Sequence, residues 1–149
     1  MSRIRKLPAY DRSLGGVMLS ANEVVLAPMR PKLREHNLTE PQWRVLRVIN
    51  DLGTTTATTL AQSGLLHAPS VTRILQELQD RALVIRELDP NDRRRTLVTL
   101  SDEGREMVKD ISRVVRRILH EYSDIFGAER LENLINELRA LSAALKRVG

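Results

Sequence analysis

APSVTRILQELQDRALVIRELDPNDRRRTLVTL, residues 68–100, is the stretch that decides the fold. Its first half carries one period and its second half another. Val71, Ile74, Leu75, Leu78 and Ala82 recur at i, i+3, i+4, i+7 and i+11. At about 100° per residue they share an arc roughly 100° wide, the stripe of a core-facing helix. Pro69, Thr72, Arg73 and Gln76 lie opposite, a face with hydrogen-bonding side chains and little apolar bulk. Past Ala82 the pattern shortens. VIREL and TLVTL alternate and are rich in β-branched residues, as strands are, and DPNDRRR between them combines turn chemistry with three successive arginines.

Taken singly, such a helix is a packed surface helix and such an arginine run a solvated charge cluster. Adjacency changes the reading. A polar helix face can enter a DNA major groove and reach base edges, and a cationic hairpin tip beside it can reach the backbone. The expected fold is mainly α with a small two-stranded β-wing, a winged helix-turn-helix.

Composition limits the alternatives. The chain has 149 residues and a formal net charge of +5, with a pI near 10.2, which favours a polyanionic partner. It has no cysteine, so disulfide frameworks and thiol chemistry are excluded. Aromatic residues make up 3%, too few for a surface that stacks single-stranded bases. His36, His67 and His120 lie at no metal-ligand spacing, and neither a phosphate-binding glycine loop nor a nucleophile elbow is present. No enzyme, metal or cofactor is expected. With no apolar run of membrane-spanning length and no secretory pattern in residues 1–10, the expected location is cytoplasmic.

Upstream of the deciding stretch, Arg3, Arg5 and Lys6 form a short basic arm. A first helix is expected from Tyr10 or Ser13 toward His36, with Leu14, Met18, Ala21 and Val25 at 4-3-4 spacing. Pro28 and Pro31 should kink or break it, because each removes an i→i−4 bond. Thr39-Glu40-Pro41-Gln42 opens a second helix with the spacing of a capping box. Trp43, Leu46, Val48 and Ile49 are its apolar side, and Gly53 ends it. A short third helix is expected over residues 54–62, where Thr55 and Thr56 suit either a phosphate contact or simple N-capping. Trp43, His36, Met18 and Met29 fall around the kinked segment and are candidate walls of a small-ligand site. For Trp43 a core position is the commoner role, and the two are compatible.

Downstream, Ser101 caps a long helix with Met107, Ile111, Val114, Ile118 and Tyr122 on one side, and Phe126-Gly127 turns the chain. The last helix is the most regular. Leu131, Leu138 and Leu145 stand seven apart, as do Leu134, Leu141 and Val148, an a/d seam of helix-on-helix packing. The five leucines, Leu131, Leu134, Leu138, Leu141 and Leu145, with Leu14, Met18 and Ile118, are the expected dimerisation set. The organisation is then 1–36, an arm and dimerisation helix; 37–100, the winged DNA-binding domain; and 101–149, C-terminal dimerisation helices that intertwine with the N-terminal one.

At this point the chain resembles the multiple antibiotic resistance regulator (MarR) family over nearly its whole length. DPNDRRRTLVTLSDEG, residues 89–104, resembles the family's wing and helix entry. HNLTEPQWRVLRVI and LLHAPSVTRIL resemble its aromatic-acid (homoprotocatechuate) degradation regulators. The resemblance implies a homodimeric repressor of a catabolic or efflux operon on pseudo-palindromic double-stranded DNA, released by a small phenolic or aromatic carboxylate ligand. It places Ser70, Thr72, Arg73 and Gln76 at recognition-helix positions. Asp92 and Arg94 fall on the wing's Asp-x-Arg, flanked by Arg93 and Arg95. Two departures stand out. Ala82 occupies a position where the family usually has Gly, so that helix end is either strained or reaches the strand differently. The helix-one arginine expected near Asn22 is missing, with Arg30, Arg34 and Arg44 as substitutes. A ligand-blind repressor and a DNA-independent helical adaptor are the other readings.

Overall fold

The computed structural model describes residues 6–64 and 66–147, so Arg3, Arg5, Leu65 and Val148 lie outside the described residues. The chain divides into two compact units, Met1–Val108 and Lys109–Gly149. Among the described residues no helix is long and apolar enough to cross a membrane.

In the first unit a single 3-10 turn at Tyr10–Arg12 leads to α1 (Leu14–Leu26). Ser13 caps it, accepting the Gly16 N–H at 3.0 Å and donating to the Tyr10 carbonyl at 2.6 Å. Gly16 is the one buried residue of α1, because the Tyr10 carbonyl oxygen stands where a Cβ would be. The two prolines act as expected: the helix passes through a 3-10 turn at Ala27–Met29 and resumes as α2 (Arg30–Glu35). Asn37 ends α2 in the left-handed region, φ +51°, with Leu38 N–H bonded to Leu33 O at 2.9 Å and Asn37 N–H to Arg34 O at 3.0 Å. That is a Schellman end, and the buried Leu33 and Leu38 supply its apolar contact.

The capping box forms. Thr39 Oγ1 accepts from Gln42 N–H at 3.2 Å and Gln42 Oε1 from Thr39 N–H at 3.0 Å, opening α3 (Glu40–Leu52). Trp43, Leu46 and Ile49 are buried as their spacing implies, together with Val45. After Gly53 (φ +80°) the structure departs from expectation. Thr55–Thr56 is a strand, β1, and the helix starts only at Ala57 as α4 (Ala57–Ser63). α5 (Ala68–Asp80) buries Val71, Ile74, Leu75 and Leu78. β2 (Val84–Leu88) and β3 (Thr96–Leu100) pair antiparallel from Val84↔Leu100 to Leu88↔Thr96. β1 joins β3 through Thr55↔Val98 and Thr56↔Leu97, so the wing is rooted in a three-stranded sheet of order β1-β3-β2 and is not a free two-stranded ribbon.

Ala82 does not continue the apolar arc of α5. It is exposed, with φ +59°. Ala82 N–H bonds Gln79 O and Leu83 N–H bonds Leu78 O, both at 2.9 Å, a second Schellman end with Ala where Gly is favoured. The left-handed conformation costs a non-glycine residue about 1–2 kcal/mol, and the extra freedom of glycine in the unfolded chain offsets about 0.4–1 kcal/mol of any gain. Ala82→Gly should therefore stabilise the fold by up to about 1.6 kcal/mol. The readout is a higher urea midpoint at unchanged slope; a lower midpoint contradicts the strain.

Ser101 joins this helix end to the next element. Its Oγ donates to Ala82 O at 2.6 Å and accepts from Gly104 N–H at 2.9 Å, capping α6 (Asp102–Phe126). Gly104 has no room for a side chain, since the Leu83 carbonyl occupies the Cβ position. In the second unit α6 ends at Gly127 (φ +99°), and α7 (Ala128–Lys146) follows. The Arg130 guanidinium carbon sits 4.1 Å from the Phe126 ring centroid across that turn.

Candidate nucleic-acid interface

Helix geometry puts the exposed residues of α5 together. Pro69, Thr72, Arg73, Gln76, Gln79 and Asp80 span about 120° of the surface, opposite the buried stripe, and all six are exposed. Ser70, beside them, is half-buried. Thr72 Oγ1 donates back to Ala68 O at 3.2 Å. The Arg73 side chain is 72% exposed, with Nε 3.8 Å from Glu77 Oε1. Glu77 in turn accepts from Gln42 Nε2 at 2.8 Å, linking this face to the start of α3. Gln76 is more constrained than its sequence context suggests. Its Nε2 donates to Asp80 Oδ1 at 2.8 Å, and its Oε1 accepts from Arg86 Nη2 at 2.6 Å.

The wing turn is held by its own polar side chains. Asp89 Oδ1 accepts from Asn91 N–H at 2.8 Å and Asp92 Oδ1 from Arg94 N–H at 3.1 Å. Backbone bonds from Arg95 N–H to Asp92 O and from Asp89 N–H to Arg95 O close the loop at 3.0 and 2.9 Å. Asp92 therefore orients the backbone that carries Arg93, Arg94 and Arg95, all exposed. Among the described residues none of these arginines is in an ion pair.

The two threonines ahead of α4 part company. Thr55 is 6% exposed, and its Oγ1 is buried without a hydrogen-bond partner. As a phosphate contact it must be withdrawn, because sheet pairing with Val98 turns it inward. Thr56 caps α4, accepting from Thr59 N–H at 3.3 Å and donating to Thr59 Oγ1 at 3.1 Å. It still lines an open cleft of about 560 Å³ with Thr58, Thr59, Arg94, Arg95 and Thr96. α4 and the base of the wing thus share one cationic, hydroxyl-lined surface.

The candidate ligand residues do not gather in this way. Trp43 is 5% exposed in the core, Met29 and His36 are half-buried and Met18 is exposed. A separate cleft of about 320 Å³ between α2 and α3 is lined by Arg30, Leu33, Arg34, Leu38 and the Thr39–Pro41 segment, and by none of those four. Of the substitute arginines, Arg30 is committed twice. It pairs with both oxygens of Glu23, at 2.5 and 2.8 Å, and its Nε donates to Glu40 at 2.6 Å. The hydrogen bond and charge of Arg30 hold the Glu23 carboxyl below its ordinary pKa. Their contribution is present above the ordinary carboxylate range and fades as pH falls through the lowered value. Arg44 donates to Gly64 O at 3.1 Å, whereas Arg34 is exposed at the cleft.

The expected dimerisation residues are mostly apolar surface. Leu14, Met18, Leu134, Leu138 and Leu145 are exposed, Leu131 and Leu141 are half-buried, and no described residue of α7 is buried. Ile118 differs: it is already buried within one chain, which accounts for it without a partner. Val25 of the first helix's spacing, and Val17, Val24 and Ile135, not singled out from the sequence, add to the exposed apolar surface.

The sequence reading also missed Arg86 and Arg81. Arg81, at the end of α5, donates to His36 O at 2.6 Å and Asn37 O at 2.9 Å, tying the two Schellman ends together. Arg86 carried a signal. It follows the buried Val84 by two residues on one strand face, an odd place for a cation unless the neighbouring helix gives it partners.

Helix, capped helix, short helix, polar-faced helix and arginine-tipped wing define a winged helix-turn-helix DNA-binding protein. The sequence profile of the MarR family matches residues 36–95. The HTH-type transcriptional regulator FarR of Neisseria gonorrhoeae is 31% identical over 131 residues, covering 86% of this chain and 90% of that protein. The homoprotocatechuate degradative operon repressor of Escherichia coli is 29% identical over 131 residues, 88% of each chain. The crystal structure of NadR in complex with 4-hydroxyphenylacetate superposes with a TM-score of 0.81 at 29% identity, over 91% of this chain and 96% of that one. The chain belongs to the MarR family. It is a transcriptional regulator and not an enzyme.

Proposed function

We propose that this chain acts in the cytoplasm as a homodimeric repressor of a catabolic or efflux operon, bound to a pseudo-palindromic duplex and released by a small aromatic carboxylate or phenol. One observation carries the DNA half of this reading: an exposed polar helix face and three exposed arginines stand in one compact unit. Thr72, Arg73 and Gln76, with Pro69 and Ser70 at the helix entry, meet base edges. Arg73 suits a bidentate guanine contact, worth about 1–3 kcal/mol of discrimination. Thr56 and the wing arginines Arg93, Arg94 and Arg95 meet phosphates and the minor groove, with Asp92 setting the turn. In the dimer two recognition helices enter successive major grooves about 34–36 Å apart. Residues 1–36 and 101–149 assemble the dimer through Leu14, Met18 and the α7 seam, and residues 37–100 bind DNA.

The ligand half is supported by what two relatives are named for: a homoprotocatechuate operon repressor and a complex with 4-hydroxyphenylacetate. Met18, Met29 and His36, which do not gather in the single chain, would wall the site in the dimer, with Trp43 behind them in the core and the exposed Arg34 as carboxylate partner. A ligand can release DNA only by binding one state better than the other. Thermal unfolding with a panel of phenolic acids tests this. At a hundred times its dissociation constant an inducer should stabilise the protein by about 2.7 kcal/mol and weaken operator binding in parallel. If no acid in the panel does both, the ligand half falls and a ligand-blind repressor remains.

A further inference from the structure

We propose that Arg86, on the wing strand β2, is a positioning residue that fixes which half of the Gln76 amide the recognition helix offers to DNA; this rests on the DNA-binding reading above. Arg86 Nη2 donates to Gln76 Oε1 at 2.6 Å and Arg86 Nε to Gln79 Oε1 at 2.5 Å, while Gln76 Nε2 donates to Asp80 Oδ1 at 2.8 Å. A guanidinium can only donate and a carboxylate can only accept. The Gln76 amide therefore has a single stable sense, carbonyl toward Arg86 and amino toward Asp80. Flipping it would set N–H against N–H and oxygen against carboxylate. The bond from Arg86 is charge-assisted, hence among the stronger kind.

The consequence is a reading face of one hydrogen-bonding sign. Pairing with adenine needs the glutamine carbonyl to accept from N6 while the amino group donates to N7. In this chain the carbonyls of Gln76 and Gln79 each give one of two lone pairs to Arg86 and are held toward β2, whereas their amino groups keep N–H bonds to offer. Arg73, Gln76 and Gln79 follow one another at i+3 on the exposed side, so all three present donors. Such a face matches guanine N7 and O6 or thymine O4, and it mismatches the amino groups of adenine and cytosine. The selectivity of the helix is thus set from the wing.

Selection from randomised duplexes, followed by affinity measurement, tests this with the full-length wild type, Arg86→Met, Arg86→Lys and Arg86→Gln. The wild type should enrich guanine or thymine at the base pair that faces Gln76 in each half-site. Arg86→Met keeps the aliphatic stem and should lose about tenfold of that preference and admit adenine. Its salt slope on random duplex should not change, and Arg86→Lys should restore part of the preference. Arg86→Gln replaces the donor-only group by one that can also accept and should relax the same base pair, which keeps the test decisive if Arg86→Met does not fold. An unchanged preference in the variants overturns the proposal, as does adenine in the wild-type consensus. A salt slope flatter by about one unit per chain in Arg86→Met would place Arg86 on a phosphate instead. Sequence-blind binding by the wild type would be a different failure, that of the DNA-binding reading itself.

Discussion

A chain carrying Leu134→Asp and Leu138→Asp is expected to run as a single subunit by light scattering and to bind a palindromic duplex at least about a hundredfold more weakly than the wild type. Both leucines are exposed in the isolated chain, and no described residue of α7 is buried. The substitutions therefore touch no core of the single subunit. Leu134 and Leu138 are 44% and 38% exposed, so covering each contributes about 1 kcal/mol, and a carboxylate placed there is desolvated without a partner. The loss at the duplex is larger than any lost contact explains, because the second half-site is no longer engaged intramolecularly. The first unit has its own core, including Leu46, Ile49, Leu60 and Leu78, so the helical signal should survive. A variant that remains a dimer, or a monomer that binds as tightly as the wild type, refutes the assignment of the seam.

The second large effect concerns the wing. Replacing Arg93, Arg94 and Arg95 by alanine should flatten the dependence of log affinity on log salt by about one unit for each arginine that meets the duplex. Affinity should fall on every sequence, specific or not, since phosphate contacts position without specifying. The fold should be untouched: the three side chains are exposed, and the turn is held by Asp89, Asp92 and backbone bonds. An unchanged slope would put the wing off the DNA.

Much of this architecture was legible because its causes are local. The capping box at Thr39 and Gln42, the buried stripe of α5 and the strands flanking DPNDRRR each follow from residues within a turn or two of one another. What escaped is long-range or conformational. Thr55–Thr56 reads as the start of a helix, since threonine caps helices, yet it becomes a strand because β3 offers an edge some forty residues later. Ala82 extends the apolar arc by simple spacing, but the Schellman end needs a left-handed residue there and turns it to solvent. Arg86 and Arg81 find their partners only after helix and sheet are assembled. The ligand candidates share only their closeness in sequence to the kink, and in the single chain Trp43 is core.

The central claim is that two copies of this chain hold one face of a duplex through paired helices and wings. It is tested most directly by the mass of the complex formed on duplexes selected by the protein, with the half-sites at their natural spacing or moved by half a helical turn. Two chains per duplex are predicted at the natural spacing, with affinity collapsing to that of one half-site when the spacing is shifted. One chain per duplex, or indifference to the spacing, would contradict the account.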